Sequence, residues 1–296
     1  MNAAAVAASA HPTGCAASAP PRGASPLRPL RYRTVWISDV HLGTRGCRAD
    51  FLLDFLRSVE CDNLFLVGDM IDLWSIESLG LHWPQSHNNV LRTILGKAKH
   101  DTKVVFVPGN HDELLRDFIG HEFGNVRIER DCMHETADGR RLLIMHGDEF
   151  DAVVKNSPWL ALLGSHAYDL LLRFNTVINA CRRRFGYRYW SLAGFLKQKV
   201  KSAVNFISSF EQALVNEARR RGADGVVCGH IHRAAIQRFD EILYLNDGDW
   251  VESCTALVEF HDGTLQLVQW SDEKKVLQTL APRHAPTSAT PLEQAA

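Results

Sequence analysis

Metal-type cysteine pairs are missing from this 296-residue chain: no C-x-x-C occurs, and the seven cysteines are scattered and odd in number. That excludes a zinc ribbon, argues against a disulfide scaffold and fits a reduced, cytosolic chain. One of them, Cys228, sits in an apolar run and reads as a small buried hydrophobe. An excess of charge is missing too. The formal net charge is −1, so the molecule as a whole has no strong field with which to steer a partner. Large apolar residues are almost absent from residues 1–30, which are Ala, Pro, Ser and Gly; such a stretch cannot offset its ordering entropy and is expected to be disordered. A signal peptide there is disfavoured, because the first cationic residue is Arg22 and there is no Leu-rich core. Residues 281–296 read as a flexible tail.

Strand signal is lacking in 151–221. Trp159, Leu160, Leu163, Ala167, Leu170, Leu171, Phe174 and Ile178 recur at helical spacing, as do Leu196, Val200, Val204, Ile207, Phe210 and Leu214. The stretch is expected to be a helical cap inserted into a domain spanning 31–280. Its charge is lopsided, with twelve Lys/Arg against three Asp/Glu between 155 and 221. His166, Asp169 and Arg173 interrupt its first helix, which should therefore not span a membrane.

The rest alternates. An apolar run at 34–37 is followed by a helical face over 49–59 (Phe51, Leu52, Phe55, Leu56, Val59). A strand at 64–67, a loop, a helix around 87–99, a strand at 104–107, a short helix from about Glu113 and a strand at 142–145 come next. After the insertion come strands at 226–228 and 242–245, and a hairpin joins 257–260 to 265–268 through His261-Asp262-Gly263-Thr264. Short apolar runs without polar alternation suit strands covered on both faces, so the class is α/β.

Five of these runs end alike. Asp39-Val40-His41 follows the first, Gly68-Asp69 the second, Gly109-Asn110-His111-Asp112 the third, His146-Gly147-Asp148 the fourth and Gly229-His230-Ile231-His232 the fifth. Ligands of open α/β sheets bind at that edge. A lone Asp or His at a strand end is usually a turn residue or a cap, but five in one chain are hard to explain by turn chemistry. Mixed Asp, His and Asn without Cys points away from structural zinc and toward a catalytic pair of ions. Two ions about 3.5–4 Å apart acidify a shared water and clamp a phosphoryl group.

These blocks, complete and in order, resemble the five signature blocks of the calcineurin-like metallophosphoesterase superfamily. The resemblance implies a four-layer α/β/β/α sandwich around a dinuclear centre. Asp39, His41, Asp69 and His232 would hold one ion, and Asp69, Asn110, His146 and His230 the other. His111 would be the catalytic residue near the substrate phosphate, Asp112 would orient it, and Asp148 would support the site behind the ligands.

The framing is more particular. Ser-Asp-Val-His-Leu-Gly, Gly-Asp-Met-Ile-Asp-Leu-Trp, His-Gly-Asp and Asn-Asp-Gly-Asp-Trp-Val-Glu (246–252) resemble the UDP-2,3-diacylglucosamine pyrophosphohydrolase family. That implies an enzyme that cuts the pyrophosphate of this lipid-linked UDP-sugar to UMP and 2,3-diacylglucosamine 1-phosphate, in lipid A biosynthesis. Two divalent ions, Mn2+ foremost, would carry a bridging hydroxide. The location implied is cytoplasmic, peripheral at the inner membrane, with contact to an anionic leaflet and no nucleic acid. His111 stands where the best-studied members carry Arg; a second branch has His. Two rivals remain at this point: a phosphoesterase of another nucleotide diphosphate, and a binding scaffold that kept the fold without catalysis.

Overall fold

The computed structural model describes residues 29–79, 82–150 and 192–283, with no side-chain account of 78–79 or 192–205. The expectations for 1–28, for the cap between 151 and 191 and for the tail from 284 onward lie outside those residues.

Two sheets stack face to face. The larger contains, in spatial order, β13 (Lys274–Leu280), β12 (Leu265–Trp270), β11 (Thr255–Glu259), β1 (Leu30–Ile37), β2 (Val59–Val67), β3 (Lys103–Val107), β5 (Val126–Ile128) and β4 (Glu122–Phe123). The smaller contains β6 (Cys132–Glu135), β7 (Arg141–Ile144), β8 (Gly225–Cys228), β10 (Ile242–Asn246) and β9 (Ala235–Phe239). Pairings β1–β2, β2–β3, β7–β8 and β8–β10 are parallel, so their C-terminal ends share one edge.

Side-chain alternation builds the layers. Trp36, Phe65, Val67, Leu142, Ile144 and Val227 face inward and fill the space between the sheets. Their neighbours Val35, Ile37, Leu64 and Leu66 face outward, under α1 (Ala49–Ser58) and α3 (Gln85–Lys99). Leu143, Val226 and Cys228 face out from the smaller sheet and meet Phe210, Leu214, Val215 and Ala218 of α4 (Leu192–Arg220). Helix, sheet, sheet and helix follow in that order, the α/β/β/α sandwich expected from the resemblance. Every residue of β8 and β10 is buried, as befits strands covered on both faces.

Four details differ from the sequence expectation. The helix ends at Ser58, and Val59 already has extended backbone (φ −121°, ψ 144°) paired to Leu30. Strands β4, β5, β6, β9 and β13 were not expected; they are short or edge strands, and in β13 six of seven residues are exposed, so no apolar run announces them. The end of the 151–221 stretch is also more than a cap: the C-terminal half of α4 buries Phe210 and Leu214 completely and serves as the outer layer on the smaller sheet. The loop after β2 contains a short helix, α2 (Leu73–Leu79).

Candidate metal centre

The loops after β1 and β2 run alongside each other and extend the strand pairing beyond the sheet. Asp39 N–H donates to Gly68 O (3.1 Å), His41 N–H to Asp69 O (2.9 Å) and Leu42 N–H to Met70 O (2.9 Å). This zipper brings the first two ligand blocks together. The left-handed region is used at five of the predicted ligands: Asp39, His41, Asp69, His230 and His232 have φ between 49° and 69°. Non-Gly residues are held in that region only where surrounding contacts over-determine them, and such strain gathers at functional sites. The backbone also comes very near. A Cβ on Gly109 would collide with Asp69 Oδ1 and the His146 ring, and one on Gly229 with Asp39 Oδ2 and Ser38.

Three clusters of donor atoms result. Asp39, His41 and His232 converge, as do Asp69, His146 and His230, and His41, Asp69 and His111 form a third group between them. Asp39 Oδ1 lies 3.1 Å from His232 Nε2 and 4.0 Å from His41 Nε2. Asp69 Oδ2 lies 3.3 Å from His146 Nε2 and 3.9 Å from His41 Nε2, so it faces both sides of the site. Asn110 stands between Gly109 and His111, whose N–H donates to Asp69 Oδ1 (2.8 Å). All seven predicted ligands thus lie along one strand edge.

The donors are arranged for cations. His146 turns its Nδ1 to Val67 O at 2.8 Å, which leaves Nε2 for the cluster. Asp39 Oδ1, Asn110 Oδ1 and His146 Nε2 are buried without an aligned hydrogen bond, and buried polar atoms in that condition call for an explanation. Electrostatics agree. Burial alone would raise the carboxyl pKa of Asp39, yet His232, His146 and His41 pull it well below the usual range. Burial alone would lower His146, yet Asp69 and Asp39 push it up. The carboxylates demand positive charge, and the oxygen–imidazole donor set suits divalent ions of borderline softness.

His111 and Asp112 do not stand in the expected relation. Asp112 is fully buried and accepts from Gly109 N–H (2.7 Å), Met70 N–H (2.7 Å) and Ile71 N–H (3.3 Å). It stitches the β3 loop to the β2 loop, and its carboxylate is taken up by backbone amides and not by the His111 ring. The partner of His111 is Asp72, whose Oδ1 is 3.0 Å from His111 Nδ1 and whose Oδ2 is 3.0 Å from His41 Nδ1. One carboxylate therefore steers both imidazoles and accepts Ser75 N–H besides (2.7 Å). Burial would raise the Asp72 pKa, but His111, His41 and the Ser75 amide outweigh it and hold the group ionised. The sequence signal was available in Gly68-Asp69-Met70-Ile71-Asp72, where the second acid reads as framing for the first. Trp74, two residues on, lays its ring 4.6 Å from that of His111. Asp148 pairs with Arg116, whose Nη2 is 2.8 Å from both its oxygens, and so ties the turn after β3 to the loop bearing His146.

Residues 32–234 match the family model of calcineurin-like phosphoesterases. The chain belongs to that family, a class of hydrolases that use divalent metals. Among curated proteins it is similar to the UDP-2,3-diacylglucosamine hydrolase of Aliivibrio fischeri, 27% identical over 77% of this chain and 94% of that protein. The protein of the same name from Photorhabdus laumondii is 25% identical over 68% of this chain and 82% of its own length. Among solved structures, the phosphoesterase Yfce of E. coli is similar over 84% of this chain and 98% of its own, at 15% identity and a TM-score of 0.44.

Proposed function

We propose that this enzyme hydrolyses the pyrophosphate bond of UDP-2,3-diacylglucosamine, releasing UMP and 2,3-diacylglucosamine 1-phosphate, with a pair of divalent ions of which Mn2+ is the first choice. The observation that carries the reading is the series of three donor clusters linked through His41 and Asp69, in a chain whose curated relatives bear that substrate in their names. Asp39, His41 and His232 would hold one ion and His146, His230 and Asn110 the other, with Asp69 common to both. Bound divalent ions supply Lewis-acid chemistry, making water nucleophilic toward phosphorus and neutralising charge on the phosphoryl oxygens.

The chain's own residues do the rest. His111, steadied by Asp72, presents its free ring edge to a phosphate oxygen as a proton donor or charge stabiliser. The anionic Asp72, 3.0 Å from Nδ1, favours the imidazolium, in which the other ring nitrogen also carries a proton to give. Beside the site the surface turns apolar: Trp74 is 46% and Leu114 65% exposed, which suits a substrate with acyl chains. No helix among the described residues is long and apolar enough to cross a membrane. Approach to a lipid-borne substrate would then be peripheral, helped by the cationic surplus of 155–221.

Full-length protein loaded with Mn2+ should release UMP from the lipid substrate far faster than nitrophenol from generic phosphate esters. Turnover of generic esters alone, or of another nucleotide diphosphate in preference, would overturn the substrate assignment while leaving the phosphoesterase intact.

A further inference from the structure

Ser38 immediately precedes the first ligand, and its hydroxyl is overcrowded with acceptors. Its Oγ lies 2.6 Å from Asp39 Oδ2, 2.6 Å from Asp247 Oδ1 and 3.2 Å from Gly248 O. A serine hydroxyl has one hydrogen to give. Two carboxylate oxygens at 2.6 Å cannot both accept it, so one of the two carboxyl groups must bring a proton of its own.

The surroundings decide which. Asp39 faces the imidazoles of His232 and His41 and accepts the N–H of His230 on Oδ2 (2.9 Å), all of which favour its anion. Asp247 is fully buried at the end of β10, and among the described residues its Oδ2 has no partner and no ion pair reaches it. A lone ionised carboxylate in such a place is strongly disfavoured. The hydrogen bonds therefore run one way: Asp247 Oδ1–H donates to Ser38 Oγ, and Ser38 Oγ–H donates to Asp39 Oδ2. Together with the His230 amide this saturates Oδ2 and leaves Oδ1 as the oxygen aimed at the cluster. Asp247 is itself well anchored. Its N–H donates to Cys228 O (3.2 Å), and its carbonyl accepts the Thr255 hydroxyl (2.7 Å).

We propose that Asp247 is a positioning residue of the metal centre, acting as a hydrogen-bond donor through Ser38 to fix which oxygen of Asp39 is presented to the ion. In the sequence Asp247 lies within the 246–252 block that carries the family resemblance, but Asn246-Asp247-Gly248-Asp249 has the composition of an ordinary turn and points to no role for it. This inference rests on the reading of the site as a metal centre.

The test is Mn2+ titration of chelator-stripped full-length protein by calorimetry, with thermal melting to establish that each variant is folded. Asp247→Ala and Ser38→Ala should each weaken Mn2+ binding about 10- to 100-fold, the usual effect of removing a partner behind a metal ligand. Asp247→Asn keeps a neutral donor of the same shape and should bind within a few-fold of the parent. If Asp247→Ala does not fold, Ser38→Ala and Asp247→Asn together carry the same contrast. Unchanged binding in Ser38→Ala, or a folded Asp247→Asn as weak as Ser38→Ala, overturns the relay. A parent protein that takes up no Mn2+ overturns the metal-centre reading itself, a different outcome from intact binding with indifferent variants.

Discussion

Two buried clusters in this molecule use the same chemical parts and behave in opposite ways. One is the metal centre. The other lies at the interface of the two sheets, where Glu259 of β11 accepts from Arg33 (2.8 and 2.9 Å), from the Thr34 hydroxyl (2.5 Å) and from Ala137 N–H (2.6 Å), with His134 Nε2 3.1 Å away. That carboxylate is saturated by groups from both sheets, and Arg33, Thr34, His134 and Glu259 all keep φ out of the left-handed region. The candidate metal centre leaves Asp39 Oδ1, Asn110 Oδ1 and His146 Nε2 without aligned partners and holds five of the predicted ligands at positive φ. A buried acid beside a histidine thus says little about role. Residual bonding capacity and backbone strain separate a lock that joins two sheets from a site built to bind.

The contrast can be broken at either cluster. The largest effect is expected from Asp69→Ala, which removes the oxygens facing both halves of the site: activity should fall to background and bound metal, read by elemental analysis, should drop with it. A variant that kept both would remove Asp69 from the centre. His111→Ala comes next. It should retain metal yet lose about 10²- to 10⁴-fold in turnover, the worth of acid–base assistance; loss of the metals instead would make His111 a ligand. Asp72→Asn should cost about 10- to 100-fold in kcat with metal content preserved, since the amide keeps the shape but not the charge that orients two imidazoles. An activity equal to the parent's would show that His111 needs no such partner.

At the inter-sheet lock the readout is stability, and catalysis should be spared. Glu259→Ala leaves Arg33 and the Ala137 amide without their acceptor and should cost about 1.5–3 kcal/mol in a denaturant melt. Its pH signature is specific. Burial alone would raise the Glu259 pKa, but His134, Thr34 and the Ala137 amide outweigh it and bring it below the ordinary 4.5. A group with a depressed folded pKa stabilises above its unfolded value and loses that contribution as pH falls through the folded one. The parent should therefore lose stability on acidification below about pH 4.5 more steeply than Glu259→Gln. Parallel pH curves would mean that Glu259 acts as a shape and not as a charge.

Much of this is legible in the chain alone. Short apolar runs without polar alternation, separated by amphipathic helices, specify a sheet covered on both faces, and acids and imidazoles at five run ends are legible because strand ends are local features. Those signals depend only on neighbours in sequence. What the residues behind the ligands do could not be read that way. Asp112 and Asp72 stand one residue and thirty-nine residues from His111, and the more distant one is its partner, because the β1 and β2 loops zip together and turn Asp72 inward while three amides hold Asp112 aside. Asp247 lies 209 positions from Ser38 and meets it only because β10 ends beside β1 across the two sheets. The sequence by itself determined which chemistry is present and at which edge. Only the tertiary structure decided how those groups are paired, since hydrogen bonds form between groups that packing brings within about 3 Å, whatever their separation along the chain.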